Sequence, residues 1–142
     1  MNVLEHNVEL KVPVDGSYVS VVRLLVSGLG TRLGLPIGEI ENLKLVAGEA
    51  FLTVVEKSAT APGLVQFKWH QDDKHVSIKI SDPTGKHKEI MPNAANLALL
   101  QRLGGEYNTQ VIDGTSVLNI DFDIKYQDER PFLFHERPDG RA

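Results

Sequence analysis

Apolar residues recur along this chain with two different periods, and the changes of period mark out its elements. Val8, Leu10 and Val12 alternate with Glu9 and Lys11, the period-two pattern of a half-buried strand, and Pro13 closes it. Asp15 and Ser17 can then cap a helix from about Tyr18 to Leu33 with Val21, Leu25 and Leu29 in its apolar stripe; Gly34 ends it and Pro36 follows. A longer helix is predicted from about Gly38 to Lys57. Ile40, Leu43, Ala47, Ala50, Phe51 and Val54 share one face of it, while Asn42, Val46, Glu49 and Thr53 share another. A helix with one face on a core and a second, mixed face is suited to floor a pocket. Period two returns in Val65, Phe67 and Trp69, and after the polar turn Asp72-Asp73-Lys74 it resumes in Val76, Ile78 and Ile80. The Pro and Gly of residues 81–86 predict a loop, and residues 94–103 predict a short helix that Asn93 can cap. Strands over 106–112 and 115–124 flank Asp113-Gly114, a favoured two-residue turn, with Leu118, Ile120, Phe122 and Ile124 as the buried face.

The order strand, helix, helix, strand, strand, helix, strand, strand predicts an α+β fold, a two-layer sandwich with helices on one face of a mainly antiparallel sheet. Composition agrees with one such domain. The chain has 142 residues, 42% hydrophobic and 24% charged, and a domain of that size buries about 68–70% of its unfolded surface. Residues 1–125 are expected to form the domain. Residues 126–142 are a charged, Pro-bearing tail whose Phe132, Leu133 and Phe134 can dock or face a partner. Fifteen basic against nineteen acidic residues give a net charge of −4, which argues against direct nucleic-acid binding. No apolar run reaches the ~20 residues of a membrane span, and the first residues lack a signal-peptide pattern. A cytoplasmic location is therefore expected, without membrane contact. The absence of cysteine excludes disulfides and thiolate metal sites. His6, His70, His75, His87 and His135 show no paired zinc-ligand spacing, and no Gly-x-Ser-x-Gly elbow supports a hydrolase.

The stretch Gly-Glu-Ala-Phe-Leu-Thr-Val-Val-Glu over 48–56 carries the most chemistry. Glu49 and Thr53 stand four residues apart, so a helix points both into the same space. An acid and an oxygen donor at that spacing can hold a proton, a water or a metal; they can equally be an ordinary solvated helix face. Asp82 before Pro83 can likewise be a simple turn residue.

Taken in order, Tyr18-Val-Ser-Val-Val-Arg23, Leu45-Val-Ala-Gly-Glu49-Ala50, Asp82 after a hydrophobic strand, Leu97-Ala-Leu-Leu-Gln-Arg-Leu103 and Gly114-Thr115-Ser116-Val117 resemble the anti-sigma factor and serine-protein kinase branch of the histidine-kinase-like ATPase superfamily. The resemblance runs from about Val8 to Ile124. It implies a switch protein that binds a sigma factor and an anti-sigma-factor antagonist, uses ATP with Mg²⁺, and often forms a homodimer. Glu49 matches the acid that acts as general base on the antagonist's serine hydroxyl. Thr53 stands where the family carries an Mg²⁺-holding asparagine; its hydroxyl is an oxygen ligand, but shorter than an amide and branched at Cβ. Asp82 matches the aspartate that accepts from the adenine amino group, with Thr115 and Ser116 at the hydroxyl positions near that base. Arg23 matches a first-helix arginine that contacts protein partners, a task suited to its planar fork.

The phosphate end departs from the family. Thr84 takes an expected glycine position, with Gly85 one place late, and Ala94 and Asn96 replace both glycines of a Gly-x-Gly-Leu lid. Glycine reaches positive φ freely, whereas alanine is penalised there by ~1 kcal/mol or more; two or three such losses weaken binding by orders of magnitude. Lys86, His87 and Lys88 offer compensating charge. The expectation is an anti-sigma-factor-like switch with a weak or degenerate ATP site. An active serine/threonine kinase using Glu49 and Thr53, or a regulatory module for some other protein, are the alternatives.

Overall fold

The computed structural model describes residues 6–58, 63–83, 98, 100–101 and 104–124. The expected lid positions Ala94 and Asn96, the loop positions Thr84, Gly85, Lys86, His87 and Lys88, and the tail from residue 125 lie outside the described residues. Of the short helix predicted over 94–103, Ala98, Leu100 and Gln101 are described and helical.

Strand β1 covers His6–Pro13, helix α1 Val19–Leu33, helix α2 Ile37–Lys57, and strands β2 to β5 cover Leu64–Gln71, His75–Ser81, Glu106–Ile112 and Thr115–Asp123. Strand order is β1-β2-β3-β5-β4 with every neighbouring pair antiparallel. The α+β two-layer sandwich is therefore the fold. Local chemistry explains both ends of α1 and the β4–β5 turn. The Asp15 side chain accepts from Ser17 N at 2.9 Å and holds a 3-10 turn over Gly16–Tyr18, so the regular helix begins at Val19, one residue later than the pattern suggests. Gly34, at φ 78°, closes α1 in the left-handed conformation, its N–H donating to Gly30 and Thr31 carbonyls. Asp113 (φ 52°) and Gly114 (φ 79°) adopt the two positive φ values of a type I′ turn, which matches the twist of the β4–β5 ribbon.

The registers stack like side chains in rows across the sheet. One row runs Val8, Trp69, Ile78, Ile120, Tyr107, from edge to edge. A second runs Leu10, Phe67, Ile80, Leu118 and Thr109. Against this face pack the six apolar residues predicted for α2, Ile40, Leu43, Ala47, Ala50, Phe51 and Val54, all buried. Trp69 meets Phe122 edge-on, ring centroids 6.5 Å apart and planes at 78°, a favoured aromatic geometry. Val46, which the period places on the mixed face of α2, is fully buried as well, between the half-buried Asn42 and Glu49. No described helix is long and apolar enough to cross a membrane.

The other face of the sheet is polar. Glu9, Lys68, Lys79, Asn119 and Asn108 form a row across it, and Lys79 Nζ donates to Asn119 Oδ1 at 2.7 Å. At its far end His75 bridges two carboxylates, Nδ1 at 3.1 Å from Asp123 and Nε2 at 3.2 Å from Asp121; Asn119 Nδ2 also donates to Asp121. Partial burial works against a charged imidazole, but the hydrogen bonds and charges of Asp123 and Asp121 outweigh it and raise the His75 pKa. A raised folded-state pKa contributes stability that is complete below the unfolded value near ~6.5 and disappears as pH rises through the folded one. Urea titrations of the wild type and His75→Gln should therefore differ most on the acid side and converge above neutrality; a gap that widens with pH would exclude this bridge.

Candidate functional site

Helix α2 carries Glu49 and Thr53 on its outer flank, both half-buried. Thr53 Oγ1 donates to the Glu49 backbone carbonyl at 2.8 Å, so its hydroxyl is folded back on its own helix. Tyr107 joins them from the edge strand β4. Its ring is buried, its hydroxyl oxygen is buried without a hydrogen-bond partner among the described residues, and its pKa is pushed up to about 12, by burial first and then by the charge of Glu49. The phenol thus remains a protonated donor within electrostatic reach of Glu49. Sequence reasoning missed Tyr107: alternation marks it as core-facing, but only the strand order brings β4 alongside α2.

A buried donor left unpaired costs about 1–3 kcal/mol. Tyr107→Phe removes that hydroxyl and is expected to raise stability by about 1 kcal/mol in chemical denaturation. A lower stability would show that the hydroxyl is satisfied in solution.

Asp82 follows β3 directly. The register Ser81↔Val117, carried one residue further, sets Asp82 opposite Ser116 on the helix-covered face, and both are fully buried. Thr115 has the opposite parity. It lies on the polar face, where with Lys68, Lys79, Ser81 and Pro83 it lines a hollow of about 400 Å³. The structure therefore brings Asp82 together with Ser116 and separates Thr115 from them. Arg23 projects from α1 against α2 at Gly48, the residue preceding Glu49. Gly85 and Asn96 lie outside the described residues.

These positions can be weighed against the groups a nucleotide requires. A fully buried carboxylate beside a buried hydroxyl suits an adenine, whose amino group needs an acceptor in a dry slot. The metal end fits poorly. Mg²⁺ favours carboxylate and water oxygens in octahedral order, whereas at this point α2 sets the Glu49 carboxylate one turn from a short hydroxyl held back against its own helix. Among the described residues no three His, Asp or Glu side chains converge on a metal position.

Helices on one face of a five-stranded antiparallel sheet, with an acid on the long helix and a buried aspartate after the third strand, define a histidine-kinase-like ATPase fold. The histidine kinase domain of the blue-light-activated histidine kinase from Erythrobacter litoralis superposes with a TM-score of 0.55 at 17% identity, covering 82% of this chain and 63% of that one. No family model matches the chain. Serine-protein kinase RsbW of Bacillus pumilus is 38% identical over 139 residues, 82% of this chain and 86% of that protein, and the chain belongs to this RsbW family. RsbW of Bacillus subtilis is 41% identical over 73 residues, and that of Halalkalibacterium halodurans 33% over 75. In these two the match spans 39% and 46% of the relative's length, so the chain aligns with under half of each.

Proposed function

We propose that the chain is an anti-sigma-factor-like regulatory switch. It binds a sigma factor, an anti-sigma-factor antagonist or both in the cytoplasm, and it grips ATP and Mg²⁺ weakly. The observation that carries this reading is a contrast on one helix pair. Arg23 is laid against α2 at Gly48, while the Thr53 hydroxyl, in the metal-binding position, is turned back on the Glu49 carbonyl at 2.8 Å. Leu45, three residues before Gly48 on α2, is exposed, an apolar side chain on the helix against which Arg23 lies, and apolar exposure beside an arginine is a feature of protein interfaces. A homodimer is compatible with this surface and belongs to the same proposal.

Thermal melting with Mg-ATP tests the weak grip. A Kd no tighter than ~0.1 mM adds at most ~1.4 kcal/mol at ~1 mM ligand, whereas a micromolar site would add ~4 kcal/mol. The smaller shift is expected; the larger one, joined to brisk phosphoryl transfer onto an antagonist serine, would overturn the reading.

The kinase alternative draws its support from Glu49, an accessible carboxylate in a chain 38% identical to a serine-protein kinase. In that reading Glu49 takes the proton of the attacking serine hydroxyl, which needs an ionised carboxylate within hydrogen-bond reach. Glu49→Gln keeps the shape and removes the base, so any phosphoryl transfer should fall by at least ~100-fold with nucleotide binding retained. Transfer that survives this change would take the role from Glu49.

A further inference from the structure

Gly48 is buried on α2, and its contacts are unusual for a glycine inside a helix. A Cβ built on it would lie 2.7 Å from Arg23 Nε, 3.2 Å from Nη2 and 3.3 Å from Cζ. The guanidinium of Arg23 therefore occupies the space in which any other residue would carry its first side-chain carbon. The backbone gives no reason for glycine, because Gly48 lies within α2, has no positive φ and could hold any L residue. Glycine in a helix interior is destabilising relative to alanine, so local helix propensity opposes it too. Space for Arg23 is what remains. Arg23 Nε is itself buried, with no hydrogen-bond partner among the described residues. Two local penalties thus meet at one contact.

We infer that Gly48 is a positioning residue: the notch it leaves in α2 holds the Arg23 guanidinium flat against the helix beside Glu49 and presents it, pre-aligned, to a carboxylate of a protein partner. Because Nε is buried, the Nε–Nη edge of the fork is shielded. The edge left for a bidentate carboxylate is the terminal Nη1–Nη2 pair. Ordering a long side chain before the encounter removes an entropy loss that binding would otherwise bear. A free arginine on the same helix would carry the same charge without this alignment. The inference rests on the reading of Arg23 as a partner contact, and the two can be tested apart.

Gly48→Ala, Arg23→Ala and the double variant are compared by two measurements on the full chain. The first is hydrogen exchange at the Arg23 Nε–H, followed by ¹⁵N NMR, which needs no partner. A buried Nε–H exchanges slowly, and Gly48→Ala is expected to speed it at least about tenfold by displacing the guanidinium. The second is calorimetric affinity for a purified sigma factor or antagonist domain that the wild type binds. Gly48→Ala is expected to weaken it about tenfold, with a melting temperature unchanged or higher, and to add nothing further in the Arg23→Ala background. Slow exchange and full affinity in Gly48→Ala, with affinity lost in Arg23→Ala, would overturn the notch. Full affinity in Arg23→Ala would instead defeat the partner reading, and the exchange rate alone would then judge whether Gly48 positions the side chain.

Discussion

Arg23→Ala should weaken binding of the sigma factor or antagonist by at least about thirtyfold, close to ~2 kcal/mol, the range in which arginine anchors at interface centres fall. The magnitude follows from what is lost. A charge-assisted bidentate pair disappears, and the partner's carboxylate is left desolvated without its cation, the costlier half of the change. Stability should move far less. The aliphatic stem of Arg23 covers part of α2, and its removal exposes that surface. The same change relieves the buried, unpartnered Nε. The two effects oppose one another, so the urea midpoint should shift by no more than ~1 kcal/mol equivalent. Calorimetric titration beside urea denaturation checks both halves. Retained affinity would place the partner surface elsewhere, and a collapse of stability would make Arg23 a structural residue.

The elements were legible in the sequence wherever one local rule decided the outcome. Asp113-Gly114 specifies its turn because few residue pairs adopt two positive φ values, and both do so here. The six apolar positions of α2 specify its buried face because a helix allows one register for them. Asp82 is fully buried, which a turn residue before Pro83 would not by itself specify. What escaped depends on distances between elements. Period alone put Val46 beside Glu49 on a mixed face, and neighbouring elements cover it. Thr115 and Ser116 are adjacent in sequence and the resemblance puts both near one base, yet strand alternation sends them to opposite faces of the sheet. Tyr107 comes under the charge of Glu49 through the placement of β4 outside β5 at the edge. The fit of Arg23 against Gly48 joins two helices and leaves no trace in either one's pattern.

The largest loss of stability should come from Trp69→Ala, about 3–5 kcal/mol as for other buried large aromatics cut to alanine. Trp69 is buried, second in the row Val8, Trp69, Ile78, Ile120, Tyr107. It packs edge-on against Phe122, and its Nε1 donates to Gln71 Oε1 at 3.0 Å. Its removal opens a void between the sheet and α2 that close-packed neighbours refill only in part. Domains are stable by roughly 5–15 kcal/mol in total, so this one change removes a third or more of a typical margin. With an m-value near ~2 kcal/mol per molar, the urea midpoint should fall by about 2 M without a change in slope. Trp69→Phe keeps an aromatic in the core and loses the indole hydrogen bond, so it should cost far less. The row that Trp69 anchors ends at Tyr107, whose phenol feels the charge of Glu49. Loosening that row should therefore also speed hydrogen exchange along β4 and α2 before the chain unfolds. A Trp69→Ala loss below ~1.5 kcal/mol would mean that the helices do not close over the sheet as described, and the placement of Glu49, Tyr107 and Arg23 would fall with it.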